Sequence, residues 1–477
     1  MTQPFSESQA TPTPPTDNLG QAIVAAFASA TAVAVLALIV AAPAIQVGAA
    51  VAGPVLLVVW LASAALGARR ISRRRGGLSA FAGAGTAALL LIFLGSLLTE
   101  PVVASVGAPL GIGTTQGATT PVARLKPEAP LIVLGFLALG SVIGLVGGAA
   151  ARLVPPAKPN GWPWPARLAL VATVATLPLL LLGGLVTSTE SGMAVPDWPG
   201  SYGLNMVLFP LGLMANPRIF LEHSHRLFGV LVGVSTIAVA LSAQFSASGR
   251  AAPRAARRGA WIAVALVIVQ GVLGGTRVTE NSVLLATAHG ILAQVFFTLL
   301  ACVAAMLTPA WASRSDAGGV ARLAKIVAGM LLVQLMLGAM FRHAEGRSWH
   351  PLAAHAVLAF AILVMAPVLG ARLGKAARAG VEPQGDRAGS RGTIRRLGKG
   401  LMHATGLQFL LGWGALAGAW LGKARGPIPL HTQLESAAAV PLWETVLTTA
   451  HQANGAILLL MTGLAVVWTW RRRTSQE

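Results

Sequence analysis

Cysteine is almost missing from this chain. The single one among 477 residues, Cys302, falls inside an apolar stretch, so no intramolecular disulfide can staple the fold. Charge is scarce as well: Asp, Glu, Lys and Arg make up 10% of the residues, against about a quarter in a soluble domain. The first twenty residues contain no Lys or Arg, unlike a secretory signal or an Arg-rich transit peptide, so a bacterial cytoplasmic membrane is the expected address. Residues 1–160 contain no histidine and no cysteine. That segment cannot supply imidazole or thiolate ligands.

What is plentiful is apolar. Hydrophobic residues make up 55% of the chain, and the mean hydropathy is +0.70. Apolar stretches of about 20 residues suffice to cross a bilayer. Their Ala/Leu/Val/Gly composition lacks strand alternation, and backbone groups in lipid must be paired internally, so the stretches are expected to be helices. Twelve spans are predicted, at roughly 21–43, 47–68, 78–99, 130–151, 168–186, 224–246, 259–275, 286–308, 325–341, 352–370, 401–420 and 448–470. With the N-terminus placed in the cytoplasm, 26 of the 35 basic residues fall in inside loops. The positive-inside rule therefore puts both termini in the cytoplasm. The net charge of +20 reflects topology, and nucleic acid is not an expected partner.

A Pro/Trp-rich turn from Pro155 to Pro165 divides the chain. The expected units are residues 1–160, with about four helices, then 161–318 and 319–477, with four helices each. The last two repeat one pattern. Gln270 to Gly274, Gln334 to Gly338 and Gln408 to Gly412 all read Gln-x-x-Leu-Gly, and Leu179 to Gly183 keeps all but the Gln. Each is followed, across an outer loop, by a histidine: His289, His355, His451 and His225 respectively. The glycine-to-histidine separations are 15, 17, 39 and 42 residues, so the loops vary while the flanking elements persist. Such self-similarity implies a duplicated four-helix unit. The fold class is thus an all-α polytopic membrane protein whose C-terminal eight-helix core consists of two duplicated four-helix bundles. The recurring glycine reads as a residue that lets helices approach closely.

A lone intramembrane histidine is most often a hydrogen-bonded core residue. Four at equivalent repeat positions, on one side of the membrane, point instead to ligands of metal-centred cofactors, hemes foremost. Duplication pairs His225 with His289, and His355 with His451. Glu222 and His225 lie three residues apart, on one helical face. Structurally, Glu222 would cap the helix or pair with Arg226; functionally, it would handle protons beside a heme. The equivalent positions elsewhere are Ala286, Leu352 and Thr448, so the first half is the expected reaction centre. Arg226, Arg277 and Arg342 sit at outer helix ends, placed either to meet heme propionates or to snorkel. His223, His343, His350 and His431 read as solvated boundary residues. His403 falls toward the cytoplasmic end, and Asp197 and Trp198 read as shapers of the outer loop.

The motifs resemble one family. Thr187 to Pro199, then Glu222, His225, Arg226, Leu227 and Gly229, then Gln270, Gly271, Leu273, Gly274 and Gly275 are similar to those of heme A synthases, over roughly residues 166–470. The resemblance implies an eight-helix membrane enzyme that oxidises the C8 methyl of heme O to a formyl group through successive hydroxylations. The product, heme A, serves heme-copper oxidases. By motif match, Glu222, His225 and His289 form the catalytic substrate-heme site, while His355 and His451 ligate a heme b. The implied partners are heme O as substrate, heme O synthase (protoheme farnesyltransferase), an electron acceptor such as a quinone, membrane lipid and a second copy of the chain. Two departures stand out: the outer-loop cysteine pair of some members is missing, and residues 1–160 lie outside the eight-helix pattern. The alternative is a non-catalytic diheme b-type cytochrome that relays electrons. An inverted-repeat transporter is disfavoured because both halves contain an even number of helices and so run in the same direction.

Overall fold

The computed structural model describes residues 17–45, 47–71, 76–102, 122–157, 161–209, 214–312, 319–343, 349–378, 386–422 and 438–470. The described residues are mostly helical. The first four helices are α1 (Asn18–Ala41), α2 (Ala49–Ala68), α3 (Gly76–Leu94) and α4 (Ala129–Ala150). The next five are α5 (Trp164–Ser188), α6 (Pro217–Phe245), the short α7 (Ala247–Arg250), α8 (Arg254–Thr279) and α9 (Val283–Met306). The last five are α10 (Pro309–Ala312), α11 (Val320–His343), α12 (Trp349–Arg378), α13 (Asp386–Gly422) and α14 (Leu442–Thr469). Two antiparallel strand pairs accompany them: β1 (Thr99–Val102) with β2 (Val122–Leu125), and β3 (Gly200–Ser201) with β4 (Leu204–Asn205).

Among the described residues, 11 helices are long and apolar enough to cross a membrane. This is a polytopic all-α membrane protein. The twelfth expected span, 401–420, is helical but forms the second half of α13, which begins at Asp386 and spans 37 residues. α6 likewise starts earlier than expected. Its polar first turns hide it from hydropathy, but Asn216 accepts from the Arg218 amide and Pro217 opens the helix, a start that needs no apolar residues.

The helices pack in three rings of four. α1 touches α2 and α3, and α4 closes the ring by touching both. α5, α6, α8 and α9 form a second ring in that order. α11, α12, α13 and α14 form a third with the corresponding contacts. α5, α9, α11 and α14 join the second and third rings, while α1 on α5 and α3 on α6 dock the first.

The main core lies at one end of the eight-helix unit. Ala256, Ala260 and Ala263 of α8 meet Phe296, Leu300 and Val303 of α9, with Val327, Leu369 and Leu458 in the same cluster. Small residues let the backbones close up where no hydrophobic effect drives helices together in lipid. Toward the other end this packing stops. No residue is buried from Val264 to Gly274, Val283 to Ala293, Leu332 to His343 or Trp349 to Ala361. His289 and His355 lie in these stretches, and His225 and His451 face them from α6 and α14.

Candidate functional site

Each histidine sits in the opening turns of its helix: His225 in α6, His289 in α9, His355 in α12 and His451 in α14. They face each other in the expected pairs. The ring centroids of His225 and His289 are 6.3 Å apart, and those of His355 and His451 are also 6.3 Å apart. All four rings are only half-buried.

The repeat supplies the holder for each ring. The glycine ending each Gln-x-x-Leu-Gly pattern lies against the imidazole of the next membrane-spanning helix. A Cβ added at Gly183 would stand 3.0 Å from Cε1 of His225, and at Gly274 3.0 Å from Cε1 of His289. At Gly338 it would stand 2.9 Å from Cε1 of His355, and at Gly412 3.3 Å from Cε1 of His451. These glycines make room for a ring, which is more specific than the close helix approach read from the sequence. The repeat glutamine secures the neighbouring backbone. Gln270, Gln334 and Gln408 donate from Nε2 to the carbonyls of His289, His355 and His451 at 3.2, 2.9 and 3.1 Å. Leu179 has no such donor, but its carbonyl lies 3.2 Å from Nδ1 of His225, as the Gln334 carbonyl lies 3.0 Å from Nδ1 of His355. With Nδ1 donating there, Nε2 carries the free lone pair, the usual arrangement of a metal-bound histidine.

This donor set fits a heme. Two imidazoles on one first-row metal ion, with metal–nitrogen bonds of about 2 Å, place their ring centres roughly 6 Å apart. Among the described residues, no group of three or more His, Cys, Asp or Glu could hold a bare metal ion. A two-imidazole site therefore suits a metal that brings its own equatorial ligands, as porphyrin iron does.

The first pair has a surrounding that the second lacks among the described residues. Glu222 is 1% exposed. Its Oε1 accepts from Nη2 of Arg226 at 3.0 Å, and its Oε2 from the Val195 amide at 3.1 Å. Arg226 also donates to the carbonyls of Asp197 (2.6 Å), Gly200 (3.0 Å) and Val195 (2.9 Å). The guanidinium thus engages the α5–α6 loop and Glu222 together. Asp197 shapes that loop by accepting from the amides of Tyr202 and Gly203, at 2.6 and 2.8 Å. Tyr202 (φ 52°) and Gly203 (φ 75°) take the positive φ of a two-residue hairpin turn between β3 and β4. The Tyr202 hydroxyl donates to the Ala194 carbonyl. Burial pushes its phenol pKa up, and the charges of Glu222 and Asp197 push it further, so the donor stays protonated. Trp198 lies on Gly275, where no side chain would fit.

Other residues depart from expectation. His223 is not solvated: it is 1% exposed, packs against Phe209 with ring centroids 4.6 Å apart and has Nδ1 3.2 Å from the Ser201 hydroxyl. The α5–α6 loop covers it, which a polar-residue reading misses. His343 is half-buried, within electrostatic reach of Arg277, Arg342 and His289. His350 is exposed and stacks on Trp349, and His403 is exposed beside the Lys399 carbonyl. His431 lies outside the described residues. Arg277 is close enough for its charge to act on Glu222, His225 and His289, and its buried Nε has no hydrogen-bond partner among the described residues. Arg342 donates to the Thr187 carbonyl at 2.7 Å.

Fold and site together define a polytopic helical membrane protein with two facing imidazole pairs, a donor set that fits porphyrin iron. A family model described as cytochrome oxidase assembly protein matches residues 213–349, which include Glu222, His225 and His289. A heme A synthase from Methylorubrum populi is 30% identical over 177 residues, 35% of this chain and 45% of that protein. Another from Methylorubrum extorquens is 30% identical over 175 residues, 34% of this chain and 44% of that protein. The chain spans less than half the length of these relatives. No solved structure matches. Over these segments the chain is similar to that family model and to the two heme A synthases.

Proposed function

We propose that the chain is a heme A synthase that oxidises the C8 methyl of heme O to a formyl group by successive hydroxylations. The observation that carries this reading is an asymmetry between two otherwise matched imidazole pairs: among the described residues, a buried carboxylate one turn before the histidine and tied to the preceding loop is found at Glu222, before His225, where Leu352 and Thr448 stand before His355 and His451. The proposed division follows, with residues 161–318 holding the substrate heme, 319–477 a heme b, and 1–160 an accessory bundle. Positive-inside bias supports a bacterial inner membrane with both termini cytoplasmic. His355 and His451 would hold the second heme, which would supply one-electron redox chemistry, and a quinone is the expected electron acceptor. Heme O synthase and a second copy of the chain are the expected protein partners.

Porphyrin iron, when bound, supplies the oxidising power that an unactivated methyl group requires. The chain's own residues hold and enclose it. His225 and His289 would hold the metal in the first half and His355 and His451 in the second, with carbonyls at Nδ1 of His225 and His355 leaving their Nε2 free to bind. Arg277 offers Nε to a propionate, Arg342 stands at the same outer level, and Arg226 fastens the loop. Glu222 would take up a proton on a second lone pair of its carboxylate, while the Val195 amide and Arg226 hold Oε2 and Oε1 in place. The α5–α6 loop excludes water, which strengthens the electrostatic effect of each charge.

One observation favours the electron-relay alternative: both oxygens of Glu222 are already engaged, as a purely structural carboxylate would be. Glu222→Gln separates the readings. It keeps Oε1 as an acceptor and removes the charge. In cells supplied with heme O, the enzyme reading expects heme A to vanish while both hemes stay bound. Undiminished heme A would remove Glu222 from the chemistry.

A further inference from the structure

The first four helices reach the first site through the loop that covers it. Thr99, 4% exposed at the start of β1, donates from Oγ1 to the Leu208 carbonyl at 2.8 Å. Gly95 lies against the Val207 carbonyl with no room for a Cβ. Leu38 and Ala42, at the end of α1, pack on the loop's own apolar cluster, which contains Val195 and Phe209. Deeper down, Phe93 meets Phe228 of α6 edge-on, with centroids 5.2 Å apart and planes at 62°. The first ring of helices thus grips the outer face of the loop and the back of α6, while the loop's inner face holds Glu222 and Arg226.

Burial follows this grip. At the histidine level α8, α9, α11 and α12 bury almost nothing, whereas α5 and α6 bury Leu180, Val186, Glu222, His223 and Leu227. A loop of this length, crossing open surface, would be expected to be mobile. Clamped from both sides, it becomes a wall.

We propose that the N-terminal four-helix bundle is a positioning element for the first site. It holds the α5–α6 loop closed so that the Val195 amide stays on Glu222. The clamp rests on geometry alone; its meaning for turnover rests on the heme A synthase reading.

The test uses the full-length protein in lipid nanodiscs, with amide hydrogen exchange read over residues 194–208. Thr99→Val removes one hydroxyl bond at nearly constant volume and should speed exchange there about fivefold. Thr99→Ser keeps the hydroxyl and should restore the original rate. Thr86→Val is the control: it removes a buried hydroxyl bonded within the bundle to Ala82, at 3.0 Å, and away from the loop. It should leave loop exchange unchanged. In Thr99→Val the spectrum of the His225/His289 heme should shift while that of the other heme does not. Unchanged loop exchange in Thr99→Val, or equal acceleration in Thr86→Val, overturns the proposal. Protein that purifies without heme counts against the heme reading alone, because the exchange rates still decide the clamp.

Discussion

The repeat glycines give the sharpest quantitative test of how the histidines are held. An alanine at Gly338 puts its Cβ 2.9 Å from Cε1 and 3.2 Å from Nδ1 of His355, where ordinary contact begins at 3.4 Å. The ring must retreat by about 0.5 Å, or α12 must lift off α11. Retreat pulls Nδ1 from the Gln334 carbonyl, now 3.0 Å away. Overpacking of this kind costs about 1–3 kcal/mol, which weakens heme retention by roughly fivefold to a hundredfold. At Gly183 and Gly274 the same contact is 3.0 Å, and at Gly412 it is 3.3 Å, nearly ordinary. The assay is heme content per protein, with the reduced-minus-oxidised spectrum of each purified variant. Gly338→Ala should lose most, Gly183→Ala and Gly274→Ala nearly as much, and Gly412→Ala least. Gly271 and Gly329 have nothing within 4 Å of an added Cβ, so alanine there should be neutral. If all four repeat variants keep a full heme complement, or Gly412→Ala is the worst, the holder described here is wrong.

Other outcomes follow from the same contacts. Arg226→Ala strands Glu222 as an unpaired buried carboxylate and should lower stability by about 3–5 kcal/mol, read as a large drop in melting temperature; an unchanged value would refute the pairing. Tyr202 is the only tyrosine in the chain, so phenolate absorbance reports on it alone. Because the folded pKa is raised, the neutral phenol stabilises the fold fully below the unfolded value of about 10, and that contribution is lost as pH rises beyond it. The phenol should therefore titrate only above this value, and ionisation at or below it would show that Tyr202 is not buried as described. Gln408→Leu imitates the natural Leu179 and removes the interhelical hydrogen bonds to the His451 carbonyl and from the Asn454 amide; both hemes should stay bound, with a loss of about 0.6 kcal/mol for each bond in unfolding measurements.

Much of this architecture can be read from residue order because the membrane restricts the options. Apolar length fixes the helices, and the repeat fixes which histidines correspond, so the two pairs are legible before any coordinates. What escapes is whatever depends on a chain-distant partner. His223 looks solvated because its neighbours in sequence are polar, yet Phe209 and Ser201 cover it from a loop. Arg226 looks like an outer-end cation, but its donors are taken by carbonyls that converge only once the loop folds. The repeat glycine reads as a small interface residue because nothing local reveals that a ring faces it. The contacts of Thr99 and Gly95 with the loop join segments more than a hundred residues apart, and no periodicity reports them.

The central claim is that the two imidazole pairs hold two different hemes, one of them substrate. Extraction of the bound hemes from the purified full-length protein, identified by mass, tests it most directly. The account predicts heme B together with heme O, its hydroxylated products or heme A. It also predicts that His289→Ala removes the second group while His355→Ala removes heme B. Heme B alone, or no heme at all, would contradict it.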